Sequence, residues 1–231
     1  MLPTLVLGSV ELSTYSLCGT LGSVLMVVAF CVRAHYYKIK LKESLLFSGS
    51  MVLLGMLANK GMYIIAYLPE SLKHVSATVG ADSWGNFFLF PLIVFAFSKI
   101  SKVCFGMLAD CFAPGMLVMF FWAQVGCYLN GCCFGVELFG GRFPVQAMEA
   151  LCCGCLLLSV LYVDNAHDYN GRIYPIILLV HGVYRFVLDF LRDSTRELFF
   201  SRDQWLALFS VAVGIIWLRN IRGRTVVYEE T

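Results

Sequence analysis

Charge is scarce in this chain of 231 residues. Lys, Arg, Asp and Glu together make up 14% of it, against about 25% in an ordinary soluble domain. The formal net charge is only +2, and the basic residues are scattered over loops, which argues against nucleic acid as a partner. Zinc-ligand spacing is missing: the ten cysteines form no pair of CxxC motifs and no histidine-bearing set, so no metal and no cofactor are expected. No repeat of helix length and no low-complexity linker divides the chain, which leaves a single domain over residues 1–231. The first ten residues carry no basic stretch and do not read as a cleavable signal peptide.

Apolar residues are abundant instead. The chain is 59% hydrophobic with a mean hydropathy of +0.78. At roughly 20 residues per crossing, about seven spans fit its length. The apolar runs fall at 15–32, 44–68, 86–97, 114–129, 145–163, 173–191 and 204–218. The third is short, and Pro91 interrupts it, so a bent, re-entrant or strongly packed helix is expected there. The expected fold class is all-α, a polytopic transmembrane bundle.

Loop charges orient it. Arg33, His35, Lys38, Lys40 and Lys42 in the first connection, Lys99 and Lys102 in the third, and Arg219, Arg222 and Arg224 in the tail share one side under seven spans. Lys and Arg concentrate in cytoplasmic loops, which puts the N-terminus outside and the C-terminus inside. The 192–203 loop, with Arg192, Arg196 and Arg202, counts against this orientation unless its arginines have another job.

Two polar features interrupt the apolar pattern. The first is the glycine-punctuated turn Gly126-Cys127-Tyr128-Leu129-Asn130-Gly131-Cys132-Cys133-Phe134-Gly135, followed by Arg142-Phe143-Pro144-Val145-Gln146-Ala147-Met148-Glu149. Non-helical backbone at membrane depth must be buried by protein or line a wet cavity, so a site is expected. Glu149 suits a helix start after Pro144, and equally suits a headgroup-orienting or proton-accepting acid. Cys127, Cys132 and Cys133 are open to a disulfide or a reactive thiol, with no histidine near them in sequence. Cys152, Cys153 and Cys155 read as small apolar filler. The second feature is Arg185, Asp189 and Arg192, at i, i+4 and i+7 of the sixth span. Either Arg185 and Asp189 pair to fix packing while Arg192 snorkels, or the arginines form a fork for a lipid phosphate. Lys60 in span two either joins a polar cavity or snorkels.

These pieces together resemble the bacterial prolipoprotein diacylglyceryl transferases, seven-helix enzymes of the cytoplasmic membrane. The resemblance covers about residues 15–218. It is strongest at Asp110-Cys111-Phe112-Ala113-Pro114-Gly115, at the turn, at Arg142 to Ala150, at His181-Gly182-Val183-Tyr184-Arg185-Phe186-Val187-Leu188-Asp189 with Arg192, and at Gln204-Trp205-Leu206. It implies transfer of the diacylglyceryl group of phosphatidylglycerol to a lipobox cysteine thiol of a secreted precursor. Arg185 matches the family's essential arginine and Asp189 its acidic companion. Asn130, Gly131 and Gly135 match the turn, and Tyr15 a functional tyrosine at the start of the first helix; Gln146 and Glu149 join them as substrate-binding positions. The chain departs from the pattern where Gln124 stands for the turn's leading arginine, Cys127 for its first asparagine and Cys132 for its glutamate. Leu89-Phe90-Pro91-Leu92 replaces a His-Gly-Gly-Leu element. Gln124 is still placed with the substrate-binding set. The alternatives are a non-catalytic lipid-binding or transport relative, and a thiol-redox protein using the three turn cysteines. The transferase expectation requires Arg185, Asp189, Gln146, Glu149 and Asn130 to line one outward-facing cavity.

Overall fold

A helix satisfies its own backbone hydrogen bonds, so long apolar runs in a membrane fold as helices. The structure, a computed structural model, describes residues 3–7, 10–66, 84–138, 140–164, 171–193 and 199–221. Among these lie α1 (Thr14–Tyr36), α2 (Leu41–Ala66), α3 (Trp84–Ser101), α4 (Phe105–Asn130), α5 (Val145–Asp164), α6 (Ile173–Leu188) and α7 (Arg202–Ile221). Six carry stretches long and apolar enough to cross a membrane, and α3 adds a shorter one, Leu89–Ser101. The chain is a polytopic helical bundle. Val24, Val28 and Val32 form an exposed row along α1, a face suited to lipid.

The helices run antiparallel between two ends. At one end, Phe30 of α1, Phe47 of α2, Phe97 of α3 and Phe112 of α4 join in an aromatic cluster with ring centroids 4.5 to 5.7 Å apart. Arg33, His35, Lys38, Lys40, Lys99 and Lys102 all belong to this end. At the other end the start of α1, the close of α4 and α6, and the starts of α5 and α7 converge. Backbones approach closely where side chains are smallest. A methyl group on Gly182 of α6 would sit 2.8 Å from the Ala207 carbonyl oxygen of α7, so only glycine allows that crossing.

One expected helix bound needs correction. The fourth helix starts at Phe105, not 114, and Pro114 lies inside it. Proline donates no N–H to the carbonyl four residues back, here that of Asp110, and crowds that turn. The buried Arg33 guanidinium compensates by donating to the carbonyl oxygens of Asp110 at 3.4 Å and Cys111 at 3.1 Å. A tertiary partner therefore keeps the helix continuous, and no local signal reports it. α3 runs as a packed helix through Pro91, one of the forms expected of the third span, with Phe90 and Val94 buried. Beside the helical bundle lie two paired strands, β1 (Thr4–Leu7) and β2 (Val10–Ser13), in register from Thr4↔Ser13 to Leu7↔Val10.

Candidate active site

The turn after α4 is built by backbone geometry. Gly131 caps the helix with φ 77°, a left-handed conformation that favours glycine, and its N–H bonds the carbonyls of Cys127 and Tyr128. The Cys132 N–H also bonds the Cys127 carbonyl, at 3.2 Å. Gly135 then pairs with Arg192 as an isolated β-bridge, and the Val136 N–H donates to the Leu191 carbonyl at 2.9 Å. A side chain at Gly135 would overlap that same carbonyl oxygen, so the pairing requires glycine. A two-strand ribbon, β3 (Glu137–Leu138) and β4 (Gly141–Arg142), returns the chain to Pro144 and α5. The Gln146 side-chain amide donates to the Cys132 carbonyl, tying α5 back to the turn.

Charged side chains from four segments meet beside this turn. Arg185 pairs with Glu149 of α5 and, at 2.9 Å, with Asp203 of α7, not with Asp189 one turn along its own helix. Arg192 reaches the same Glu149 oxygen at 2.8 Å and lies 3.7 Å from Asp189. Glu149 is thus shared by two guanidinium groups, and it is 2% exposed. After Leu188 the α-helix tightens into a 3₁₀ turn, Asp189–Leu191, while the Asp189 N–H still bonds the Arg185 carbonyl; the Arg185 side chain is taken up by Glu149 and Asp203 instead. Asp189 instead accepts a hydrogen bond from the Ser201 hydroxyl. Ser201 and Gln204 bond reciprocally, the Ser201 N–H to Gln204 Oε1 at 2.9 Å and the Gln204 N–H to Ser201 Oγ at 3.1 Å. That is a capping box at the start of α7, and it fixes Asp203 within reach of Arg185.

Intramembrane charges cost several kcal/mol each unless paired or solvated, so this concentration calls for a ligand or a function. Several polar atoms in the cluster are buried without a hydrogen-bond partner: Gln146 Oε1, Glu149 Oε2, Asp189 Oδ1, Arg192 Nε and His181 Nδ1. Buried polar atoms are normally bonded, which makes this the place where a polar group fits.

Arg185, Asp189, Gln146 and Glu149 come together as the sequence pattern requires. Asn130 and Gly131 close α4 at the same end, and both are half-buried. Tyr15 opens α1 against Gly126, close enough to interact with the three turn cysteines. Gln124 sits half-buried on α4, nearly two turns before Asn130. Lys60 is exposed on α2 and stands outside the cluster. Within Leu89-Phe90-Pro91-Leu92 the buried Phe90 is packing material, stacked on Phe112 at 5.1 Å and tilted against Tyr174 at 4.5 Å, while Leu92 is exposed. Sequence reasoning missed Asp203 and Ser201, whose Ser-x-x-Gln capping signal with Gln204 was legible. The sequence left Arg192 either snorkelling or in an arginine fork; the structure pairs it with the buried Glu149.

The Sγ atoms of Cys127, Cys132 and Cys133 lie within 4.8 Å of one another, and all three are free thiols. Cys133 adopts φ 62°, an uncommon conformation for a residue with a side chain. A hydrogen bond from Cys127 lowers the Cys133 thiol to about 6, helped by Cys132 and by the positive fields of Arg192 and Arg185. Burial raises Cys132.

The family model for prolipoprotein diacylglyceryl transferase matches residues 3–219. The phosphatidylglycerol–prolipoprotein diacylglyceryl transferase of Clostridium tetani is 24% identical over 185 residues, covering 70% of this chain and 74% of its own. A second such enzyme, from Clostridium perfringens, is 24% identical over 205 residues, covering 78% and 79%. One from Idiomarina loihiensis is 29% identical over 141 residues, 53% of each chain. With nearly its whole length matched, this chain belongs to the prolipoprotein diacylglyceryl transferase family.

Proposed function

We propose that this protein transfers the diacylglyceryl group of phosphatidylglycerol to a lipobox cysteine thiol of a precursor protein, at the outer face of a bacterial cytoplasmic membrane. The observation that carries the reading is the buried Arg185–Glu149–Arg192 arrangement, with its unpartnered polar atoms, at the membrane end of α6. Each guanidinium has five donors, so carboxylate pairing leaves several for phosphate oxygens. Arginine matches phosphate bidentately and stabilises the charge that the leaving group develops.

In the reaction the acceptor sulfur attacks the glyceryl carbon that bears the phosphate. The carbon–oxygen bond breaks as the carbon–sulfur bond forms, and the electron pair leaves on the phosphate oxygen as glycerol phosphate. Arg185 contacts the phosphate. Asp189 orients the arginine pair by holding Arg192 and Ser201. Glu149 and Gln146 set the spacing of the arginines and the turn, while Asn130, Gly131, Gly135, Tyr15 and Gln124 shape the headgroup side. Outward orientation is supported by the basic residues gathered at the opposite end and by the carboxylate partners of Arg192 and Arg202 at this one.

Incubation of the purified protein with labelled phosphatidylglycerol and a lipobox peptide tests the activity. The peptide gains the mass of a diacylglyceryl group, and a peptide with serine in place of its cysteine does not. Arg185→Ala lowers the rate by about 10²–10³-fold, the usual loss when one charge-stabilising donor is removed. Gln124 and the apolar Leu89 segment favour the non-catalytic lipid-binding alternative, for which lipid binds and no peptide gains mass.

A further inference from the structure

Three thiols converge at the turn although sequence spacing alone predicts no metal site. Cys127 lies in the last turn of α4, and Cys132 and Cys133 follow the left-handed Gly131 that folds the chain back on itself. The turn is held on every side: Cys132 N–H bonds the Cys127 carbonyl, Gln146 bonds the Cys132 carbonyl, and Gly135 is locked against Arg192. Cys133 holds an uncommon left-handed backbone, and its sulfur joins the other two. Uncommon backbone conformations of this kind concentrate at functional sites.

The geometry suits an ion. Zinc–thiolate bonds of about 2.3 Å put the sulfurs of a tetrahedral site about 3.8 Å apart. The three Sγ atoms, within 4.8 Å of one another, need to move by less than about 1 Å to reach that spacing. A disulfide would join two of them, require an oxidant and leave the third thiol unexplained. Cys133 is exposed and gives an ion access, while Cys127 and Cys132 are half-buried. Three thiolates around a dication carry one net negative charge, and Arg192 and Arg185 are near enough to act on Cys133 with the opposite sign. Thiolate sets select soft or borderline ions, and three protein ligands leave a fourth position open, as catalytic zinc sites do.

We propose that Cys127, Cys132 and Cys133 bind a thiophilic metal ion such as Zn²⁺, whose open fourth position takes the sulfur of the acceptor cysteine. The role of that fourth ligand rests on the transferase reading; the metal site does not. A free thiol is only a few per cent thiolate at neutral pH, and a metal-bound one is deprotonated outright. On coordination the acceptor releases its proton to water. The bound thiolate then attacks the glyceryl carbon, the carbon–oxygen bond to phosphate breaks, and the electron pair leaves on the phosphate oxygen beside the arginines. The product thioether is a weak ligand and departs. The site thereby supplies the activated thiolate without a nearby histidine base.

Cobalt titration of the chelator-stripped, full-length protein in detergent tests this. The expected result is one Co²⁺ per chain with sulfur-to-metal charge-transfer absorption that Zn²⁺ displaces. Cys133→Ser weakens binding by more than about 100-fold, Cys133→His restores it with an altered spectrum, and Cys153→Ser changes nothing. Equal size-exclusion profiles establish that the variants fold. A cysteine peptide shifts the cobalt spectrum and a serine peptide does not. No charge-transfer band, unchanged binding in Cys133→Ser, or a disulfide among the three cysteines in freshly purified protein overturns the metal site. A cobalt spectrum indifferent to the cysteine peptide overturns the acceptor role. Transfer that survives both chelation and Cys133→Ser leaves the transferase reading intact and overturns the acceptor role. Peptide ligation without transfer does the reverse.

Discussion

Glu149 shows why this cluster is stable without being inert. Its carboxylate lies between Arg185 and Arg192, and each arginine keeps a further carboxylate, Asp203 or Asp189. Breaking a buried ion pair from one side costs about 3–5 kcal/mol, because the remaining charge loses its partner. Glu149→Gln, which keeps the shape and removes the charge, should cost about 3 kcal/mol in a denaturant titration. An anionic phosphate can then replace the missing carboxylate. Phosphatidylglycerol should therefore stabilise the Glu149→Gln variant more than the parent, and an uncharged lipid should not. Equal stabilisation of both proteins by both lipids would show that no phosphate reaches the arginines. The pairing itself was only half legible. Spacing placed Arg185, Asp189 and Arg192 on one helix face, yet the tertiary approach of Glu149, Asp203 and Ser201 redirects the bonds.

The helices were legible as elements because apolar runs of membrane length have few alternatives. Their ends were not, wherever a partner from elsewhere in the chain sets them. Pro114 looks like a helix start, and Arg33 of α1 turns it into a mid-helix residue by donating to the Asp110 carbonyl that proline leaves unbonded and to the adjacent Cys111 carbonyl. Asp110 does similar work for α6: its Oδ1 accepts the Tyr174 N–H at 2.9 Å, satisfying an otherwise open donor in the first turn. Asp110→Ala leaves that donor buried and unbonded, at a cost of about 1–3 kcal/mol. Asp110→Asn retains an acceptor oxygen in the same place. The alanine variant should unfold at clearly lower denaturant than the parent while the asparagine variant stays close to it. Equal losses in both would mean that charge, not the hydrogen bond to α6, is what Asp110 contributes.

At the scale of the molecule, two unlike ends define the arrangement. One end holds the aromatic cluster and the basic loops; the other holds the turn, the arginines and their carboxylates. The sequence signalled the convergence of the site elements through alternation of spans, and loop basicity supplies a proposed direction. The contrary arginines of the 192–203 loop are partly explained: Arg192 is inside the site and Arg202 lies 3.5 Å from Asp203. Orientation is open to direct measurement. In intact cells, in a background whose native cysteines are replaced by serine, a membrane-impermeant maleimide should label Glu137→Cys, on the exposed ribbon near the site, and should spare Lys102→Cys. The opposite pattern would place the site on the cytoplasmic side and remove a secreted precursor as its substrate.

The central claim is that the buried arginine cluster transfers a lipid group from a phosphate to a thiol, and product stoichiometry addresses it most directly. With the protein in phosphatidylglycerol vesicles and a lipobox peptide added, released glycerol phosphate and peptide thioether are counted in the same reaction. One glycerol phosphate should appear for every thioether, with both products lost together in Arg185→Ala. Glycerol phosphate without thioether, or equal product from the Arg185→Ala protein, would contradict the account.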